Sequence, residues 1–388
     1  MWKRPSPISS YSRTSSFYSS DAKHCWGRCL EAAGDKYPQF RAAAVQAAPI
    51  FLNREATIEK IESLVSEAAG KGADLVVLGE SLVPAFPLWN MVYPPIEQHN
   101  FFRRLFGNAL EIPSPAFEKL AGIANENRVF LSVGVTEKAP YSMGTMWNSN
   151  LLFDRNGMLV NRRRKLVPTW AEKLTWSNGD ADGLEPVKTE IGRIGVLICG
   201  ENTNPLARYA MLAQGEQAHI ATYPPAFPFK RPGAAGNYDL TEAIRIRSAA
   251  HSFEGKVFNI VASCTLDENS IEEISTGNDE IKEIFRATPK SASMILGPQG
   301  EYLCEPIIGD EGVIVADIDL SKSIEHKQVH DIIGYYNRFD IFRLEIDRSP
   351  NRPIWFRKKP KADLDRSGEE KGDFGEQENG KERLGESS

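Results

Sequence analysis

The chain has 388 residues, of which 41% are hydrophobic and 25% charged. That is ordinary globular composition, and it excludes fibrous, collagen-like and wholly disordered classes. A net charge of -6 argues against a nucleic-acid binder, and no apolar run approaches the roughly 18 residues of a membrane helix. The cysteines (Cys25, Cys29, Cys199, Cys264, Cys304) are odd in number and scattered. They predict no disulfide framework and a reducing, cytoplasmic setting.

Residues 1–38 form an extension of different texture. The segment is rich in Ser, carries Lys3, Arg4 and Arg13, and reaches its first acid only at Asp21. Such a start is either a disordered extension or a transit peptide, whose destination would be mitochondrial. From Phe40 onward strands and helices alternate. Arg41–Gln46 reads as a strand. Asn53 caps a helix with Ile58, Ile61, Leu64, Val65 and Ala68 at helical spacing, and Gly70 sits at the expected C-cap. Asp74–Leu78 reads as a buried strand. Phe117, Leu120, Ile123 and Ala124 mark a helix face, and Val129–Val135 a further strand. Asn148–Asp154 and Met158–Arg162 bracket Arg155-Asn-Gly157, a hairpin signal. Further strands are expected at Ile194–Ile198, His219–Tyr223, Val257–Ala262, Ala292–Leu296 and Val313–Ile318. Helices are expected at Pro205–Ala213 and Leu240–Glu254, the second opened by Asp239 with Glu242 and closed by Gly255. Alternation with hairpins predicts an α/β layered domain with mixed sheets over residues 39–345. Residues 346–388 read as a C-terminal extension. Its charged part, from about 358, has too few apolar residues to offset its ordering entropy.

Three segments carry chemical potential. Glu80 ends an apolar strand, where a carboxylate is costly unless paired; alone it reads equally as a surface acid at a strand edge. Lys165 closes the basic run Arg162-Arg-Arg-Lys165 and leads into a Pro/Trp-rich loop that carries Glu172. Alone, that run reads as a solvated cationic face, but a Lys among carboxylates can anchor developing negative charge. Cys199 stands where a buried strand stops, just before the helix start at Asn204-Pro205. A thiol on such a strand-to-helix turn, near a Lys, is expected to ionise easily and act as a nucleophile. Gly200 follows, so its N–H can approach an intermediate unobstructed. The bland alternative is a buried structural cysteine, the reading given to Cys264 and Cys304.

The order Glu80, Lys165, Cys199 forms a pattern. Gly79-Glu80, the run Arg164-Lys-Leu-Val-Pro-Thr169 with Glu172 and Trp176, and Cys199-Gly-Glu-Asn with Pro205-Leu-Ala-Arg208 resemble the signature blocks of the nitrilase, or carbon–nitrogen hydrolase, superfamily. Ala44–Pro49, Val133–Glu137 and Asn150–Asp154 resemble its flanking segments. The resemblance implies a four-layer α-β-β-α sandwich whose subunits pair across an α face into a homodimer and then a larger homo-oligomer. It implies Glu80 as general base, Lys165 as stabiliser of the tetrahedral species, Cys199 as nucleophile and Glu172 as the second glutamate. The chemistry needs no metal or organic cofactor, since base, nucleophile and stabiliser are all side chains.

The Lys-Leu-Val-Pro-Thr run, Trp176 and Tyr335–Arg343 resemble the nitrilase-proper branch. That implies conversion of a nitrile to a carboxylic acid and ammonia through a thioimidate and a thioester. The alternative is an amidase or N-carbamoyl amidohydrolase using the same residues, and a third possibility is a non-enzymatic scaffold on this fold. One departure stands out: nitrilases proper mostly carry Trp after the nucleophile, and here it is Gly200. Trp89, Trp170 and Tyr223 are candidates to line a replacement apolar pocket, or else simple loop packing. His24, Cys25 and Cys29 resemble half a zinc site without a second half, so no metal is expected. No histidine falls in a matched block, so none is assigned a catalytic role. The expected partner is a small nitrile or amide, not nucleic acid or membrane.

Overall fold

The computed structural model describes residues 37–354. The N-terminal extension with its possible transit peptide and half zinc site, and the tail from about 358, lie outside them. The described chain through Pro350 forms one compact unit. Strands β1 (Gln39–Gln46), β2 (Leu75–Leu78), β3 (Phe130–Lys138), β4 (Met146–Phe153) and β5 (Leu159–Arg164) make up most of one sheet. Strands β6 (Val187–Thr189), β7 (Gly192–Ile198), β8 (Ala218–Tyr223), β9 (Phe258–Ser263), β10 (Ala292–Leu296) and β11 (Ile307–Ile308) form the second, in the order β11-β10-β9-β8-β7-β6. The last strand, β12 (Gly312–Asp319), returns to pair antiparallel with β1, giving the first sheet the order β12-β1-β2-β3-β4-β5. Both sheets are mixed: β1, β2 and β3 run parallel, as do β7, β8 and β9, and antiparallel strands flank them.

Strand alternation builds the layers, because successive side chains point to opposite faces. From β1 and β2, Ala42, Ala44, Leu75 and Val77 face the second sheet and meet Ile194, Val196, Ile220 and Ile260. Their neighbours Ala43, Val45, Val76 and Leu78 pack outward on helices α1 (Arg54–Gly70) and, beyond α2 (His99–Asn108), α3 (Pro115–Asn127). On the far side, Leu197 meets Ala207 and Met211 of α4 (Pro205–Ala213), and Ala221 packs with Leu240 and Ile244 of α5 (Leu240–Gly255). The result is the expected α-β-β-α sandwich.

Local signals placed most elements within a residue or two, with two corrected helix ends. α1 ends at Gly70, but its left-handed residue is Gly72 (φ 82°), after the cap Lys71. α5 ends at Gly255, and Lys256 (φ 53°) takes the left-handed turn. Gly255 serves packing instead, since a Cβ there would lie 2.2 Å from Leu212 Cδ2 of α4. The hairpin between β4 and β5 turns as expected at Gly157 (φ 78°). Short elements went unread: α2, α6 (Glu268–Ser275), α7 (Asp279–Ala287), α8 (Ser323–Val329), β6 and β11.

Candidate active site

Three strand ends converge at one edge of the sandwich. Glu80 follows β2, Lys165 follows β5 and Cys199 follows β7. All three are buried, with exposures of 0%, 1% and 5%. Lys165 Nζ donates to Glu80 Oε1 at 2.8 Å and to Glu172 Oε2 at 2.7 Å. Asn148 Nδ2 donates to Glu80 Oε1 at 2.6 Å, and the Lys165 N–H is held by the Asn148 carbonyl at 2.8 Å. Glu172 is fixed in turn, because the Thr169 N–H donates to its Oε2 at 2.9 Å. The other oxygens, Glu80 Oε2 and Glu172 Oε1, are buried without a hydrogen-bond partner among the described residues. An unpartnered buried carboxylate oxygen is what a base awaiting a proton from substrate or water should present.

The backbone is held in left-handed conformations beside each of these groups. Ser81 (φ 50°), Trp170 (φ 46°) and Cys199 (φ 47°) are non-glycine residues with positive φ. Such residues persist only where the surroundings impose them, and they cluster at functional sites. The Glu80 segment is also threaded through a narrow gap. A Cβ on Gly79 would lie 2.4 Å from the Cys264 nitrogen, and one on Gly134 would lie 2.3 Å from the Gly79 oxygen.

Electrostatics follow from this burial. Desolvation, reinforced by Glu172, pushes the Glu80 carboxyl up to about 7 against the pull of Lys165 and Asn148. Burial works against the Lys165 charge, yet Glu172, Glu80 and Cys199 outweigh it and hold the ammonium well above its ordinary range. For Cys199 the sequence expectation is corrected. Burial, together with Glu80, pushes the thiol well above its usual value despite Lys165. The physical reason is twofold: the site is dry, and a short 3-10 turn (Cys199–Thr203) separates Cys199 from α4, whose end is capped by Asn204. The burial of Cys199 therefore favours its thiol form.

The expected pocket residues separate. Tyr223 ends β8, is fully buried and packs in one cluster with Cys199, Ala221 and Ile244. Burial pushes its phenol up. Phe227 and Tyr238 pack against that cluster, and Trp170, half exposed, sets its ring 6.0 Å from Phe227 and 5.9 Å from Phe229. An aromatic wall thus runs from beside Cys199 out to Trp170. At Gly200, next to Cys199, an added Cβ would lie 2.9 Å from Thr169 Oγ1. Trp89 lies elsewhere: fully buried, stacked on Phe101 at 5.1 Å and edge-on to Phe51, it belongs to the core behind the loops.

Sequence reading gave no role to Glu201. Its Oε2 accepts from the Ile198 N–H at 2.8 Å, and its Oε1 accepts from the Leu166 N–H at 2.6 Å and from Arg163 Nη2 at 2.5 Å. One buried carboxylate therefore ties the residue before Cys199 to the residue after Lys165. Its only sequence signal was membership of the Cys199-Gly-Glu-Asn block. Cys264 is buried and lends its thiol to the Glu80 carbonyl at 3.4 Å, whereas Cys304 is half-buried in the loop between β10 and β11.

A family model described as carbon-nitrogen hydrolase matches residues 41–328. A nitrilase from Paraburkholderia phymatum is 33% identical over 314 residues, covering 81% of this chain and 88% of that protein. Nitrilase 3 from an unknown prokaryotic organism is 35% identical over 311 residues, covering 80% of this chain and 90% of its own. Among solved structures, a carbon-nitrogen hydrolase from Helicobacter pylori superposes with a TM-score of 0.59 at 21% identity. That superposition covers 75% of this chain and 93% of the other.

Proposed function

The chain belongs to the carbon–nitrogen hydrolase family, and from that premise we propose that it is a nitrilase, converting a nitrile to a carboxylic acid and ammonia. The observation that carries the mechanism is the buried cluster in which Lys165 bridges Glu80 and Glu172 beside Cys199. Glu80 takes the Cys199 proton as sulfur attacks the nitrile carbon, and the nitrogen receives that proton to give a thioimidate. Water then adds, with Glu80 as base, and the C–N bond breaks as ammonia leaves with the returned proton. The thioester that remains is hydrolysed by a second water, which frees the acid and restores the thiol. Lys165 and the Gly200 N–H hold the charge that develops on the attacked group. Glu172 keeps Lys165 charged and aimed. Base, nucleophile and charge stabilisers all come from the chain itself, so the sequence of steps calls on no cofactor.

An amidase is the second reading, since an amide enters the same cycle at the thioester stage with loss of ammonia. The aromatic wall of Tyr223, Phe227 and Trp170 and the missing side chain at Gly200 favour a nitrile with a bulky aryl or arylalkyl group. A panel of nitriles and amides with ammonia detection, run beside Cys199→Ala, tests the proposal. Release of ammonia and acid from phenylacetonitrile by the native enzyme alone is the expected result. Turnover of amides only would select the second reading, and activity retained in Cys199→Ala would overturn the mechanism.

The assembly proposed is a homodimer through the α4–α5 face that extends to a larger oligomer. Exposed Leu206, Ile246 and Phe253 on that face support it, and sedentation by ultracentrifugation reads it out. The setting proposed is reducing and cytoplasmic; among the described residues Cys199, Cys264 and Cys304 are free cysteines. Among the described residues no helix is long and apolar enough to cross a membrane.

A further inference from the structure

Behind Cys199 lies a second buried polar cluster that the mechanism above does not use. Glu216 precedes β8, His219 lies within it and His251 lies on α5; all three are fully buried or nearly so. His219 Nδ1 is 2.6 Å from Glu216 Oε1, and His251 Nε2 is 2.7 Å from Glu216 Oε2. His219 Nε2 is 2.9 Å from Asn202 Oδ1. Asn202 Nδ2 donates to two carbonyls, Leu197 O at 3.2 Å and Cys199 O at 3.1 Å.

One donor and acceptor assignment in this chain follows by elimination. Asn202 uses its amide nitrogen on the carbonyls, so its oxygen must accept, and His219 Nε2 must carry a hydrogen. Glu216 is held well below the usual carboxylate range, to about 2, because the two histidines outweigh its desolvation. Each of its oxygens faces one ring nitrogen. Burial lowers His251 to about 4, so that ring donates through Nε2–H while staying neutral. The strand opposite makes room for the acid. Gly195 pairs with His219 across β7 and β8, and a Cβ on Gly195 would lie 1.8 Å from Glu216 Oε1. The same three side chains could be imagined around a metal ion. Yet each Glu216 oxygen already faces one ring, and the second nitrogen of His219 is committed to Asn202.

We propose that Glu216, His219 and Asn202 form a positioning relay that clamps the Cys199 carbonyl and thereby aims the Gly200 N–H at the reacting group. The link is the planarity of the peptide bond. In a trans peptide the C=O of Cys199 and the N–H of Gly200 point in opposite directions, so fixing one fixes the other. The clamp also explains how Cys199 keeps a left-handed φ of 47° that a non-glycine residue otherwise avoids. Gly200 lies in the first turn of the 3-10 segment Cys199–Thr203, where N–H groups have no intrahelical acceptor. Its N–H is free for an anion, and the relay decides where it points. Asn202, His219 and Glu216 are positioning residues: they act through the peptide and do not touch substrate.

This inference rests on the reaction proposed above, and Asn202→Asp tests it. That change preserves shape and a partner for His219 but removes the donation to Cys199 O. The enzyme is assayed on whichever nitrile or amide the native protein turns over, with active sites counted by alkylation of Cys199 read by mass spectrometry. Per alkylatable site, kcat is expected to fall roughly 100-fold, the lower end of the cost of losing an anion-stabilising donor, with KM changed little. His219→Phe is expected to behave alike, and His219→Gln, which keeps a donor, to recover part of the loss. A purely structural role would instead lower the number of alkylatable sites and leave kcat per site unchanged, and that result overturns the relay. A crystal structure of Asn202→Asp gives an arm independent of substrate. The Cys199–Gly200 peptide should rotate, and an unmoved peptide also overturns the inference. Should the native enzyme prove inactive on every nitrile and amide, the proposed function fails, while the peptide orientation still decides the relay.

Discussion

Glu80 and Lys165 are 85 positions apart in the chain, yet their side chains meet at 2.8 Å inside a fully buried site. Glu172 completes the arrangement at 2.7 Å, so one ammonium bridges two buried acids. Removing the cation strands both carboxylates. Lys165→Met should therefore abolish turnover and also destabilise the fold by about 3–5 kcal/mol, the usual cost of breaking a buried pair. Glu172→Gln should lower kcat while costing far less stability. Denaturant melts beside the ammonia assay measure both.

The raised carboxyl of Glu80 sets a pH limb. The base must be ionised, and its pKa stands at about 7 in the free enzyme. Below that value the protonated form dominates, so log kcat/KM should climb with a slope near one up to about pH 7 and then level. Lys165, held well above its ordinary range, stays cationic throughout. A profile flat from pH 5 to 8 would remove Glu80 from the base role.

Gly200 and Thr169 form a close contact with a traceable consequence. A Cβ at position 200 would meet Thr169 Oγ1 at 2.9 Å, and a β-branched side chain has little χ1 freedom to retreat. The Thr169 N–H also holds Glu172 Oε2, so displacement there reaches the lysine. Gly200→Ala is expected to lower kcat by roughly tenfold, the scale of a small misplacement at a reacting centre. Combining it with Thr169→Ala, which deletes the obstructing oxygen and keeps the N–H, should restore most of that loss.

The tryptophans should divide cleanly. Trp170, exposed at the outer end of the aromatic wall, should on conversion to Ala raise KM for aryl nitriles and leave stability nearly intact. Trp89, stacked on Phe101 in the core, should on conversion to Ala cost about 3–5 kcal/mol through cavity formation. Melting curves and kinetics of the two variants decide the assignment.

Much of this protein was legible in its amino-acid order. Period-two and helical patterns located β1, β2, β7, β8, α1, α4 and α5, because those elements bury one face and local spacing records it. The blocks around Glu80, Lys165 and Cys199 named the chemistry, since each combines a reactive residue type with a strand end. The elements left unread, such as α2, α6 and α7, are short, and their apolar residues pack on loops and not on a sheet. The ionisation of Cys199 was misjudged for a different reason: a linear pattern shows a neighbouring cation but not the burial that opposes it. Glu201, His219 and Asn202 were invisible as partners because their hydrogen bonds link segments whose neighbourhood is set by sheet register. Sequence marked the residues that meet in the buried cluster. Tertiary structure alone decided how deeply those residues are buried, and which neighbours hold their backbone in place.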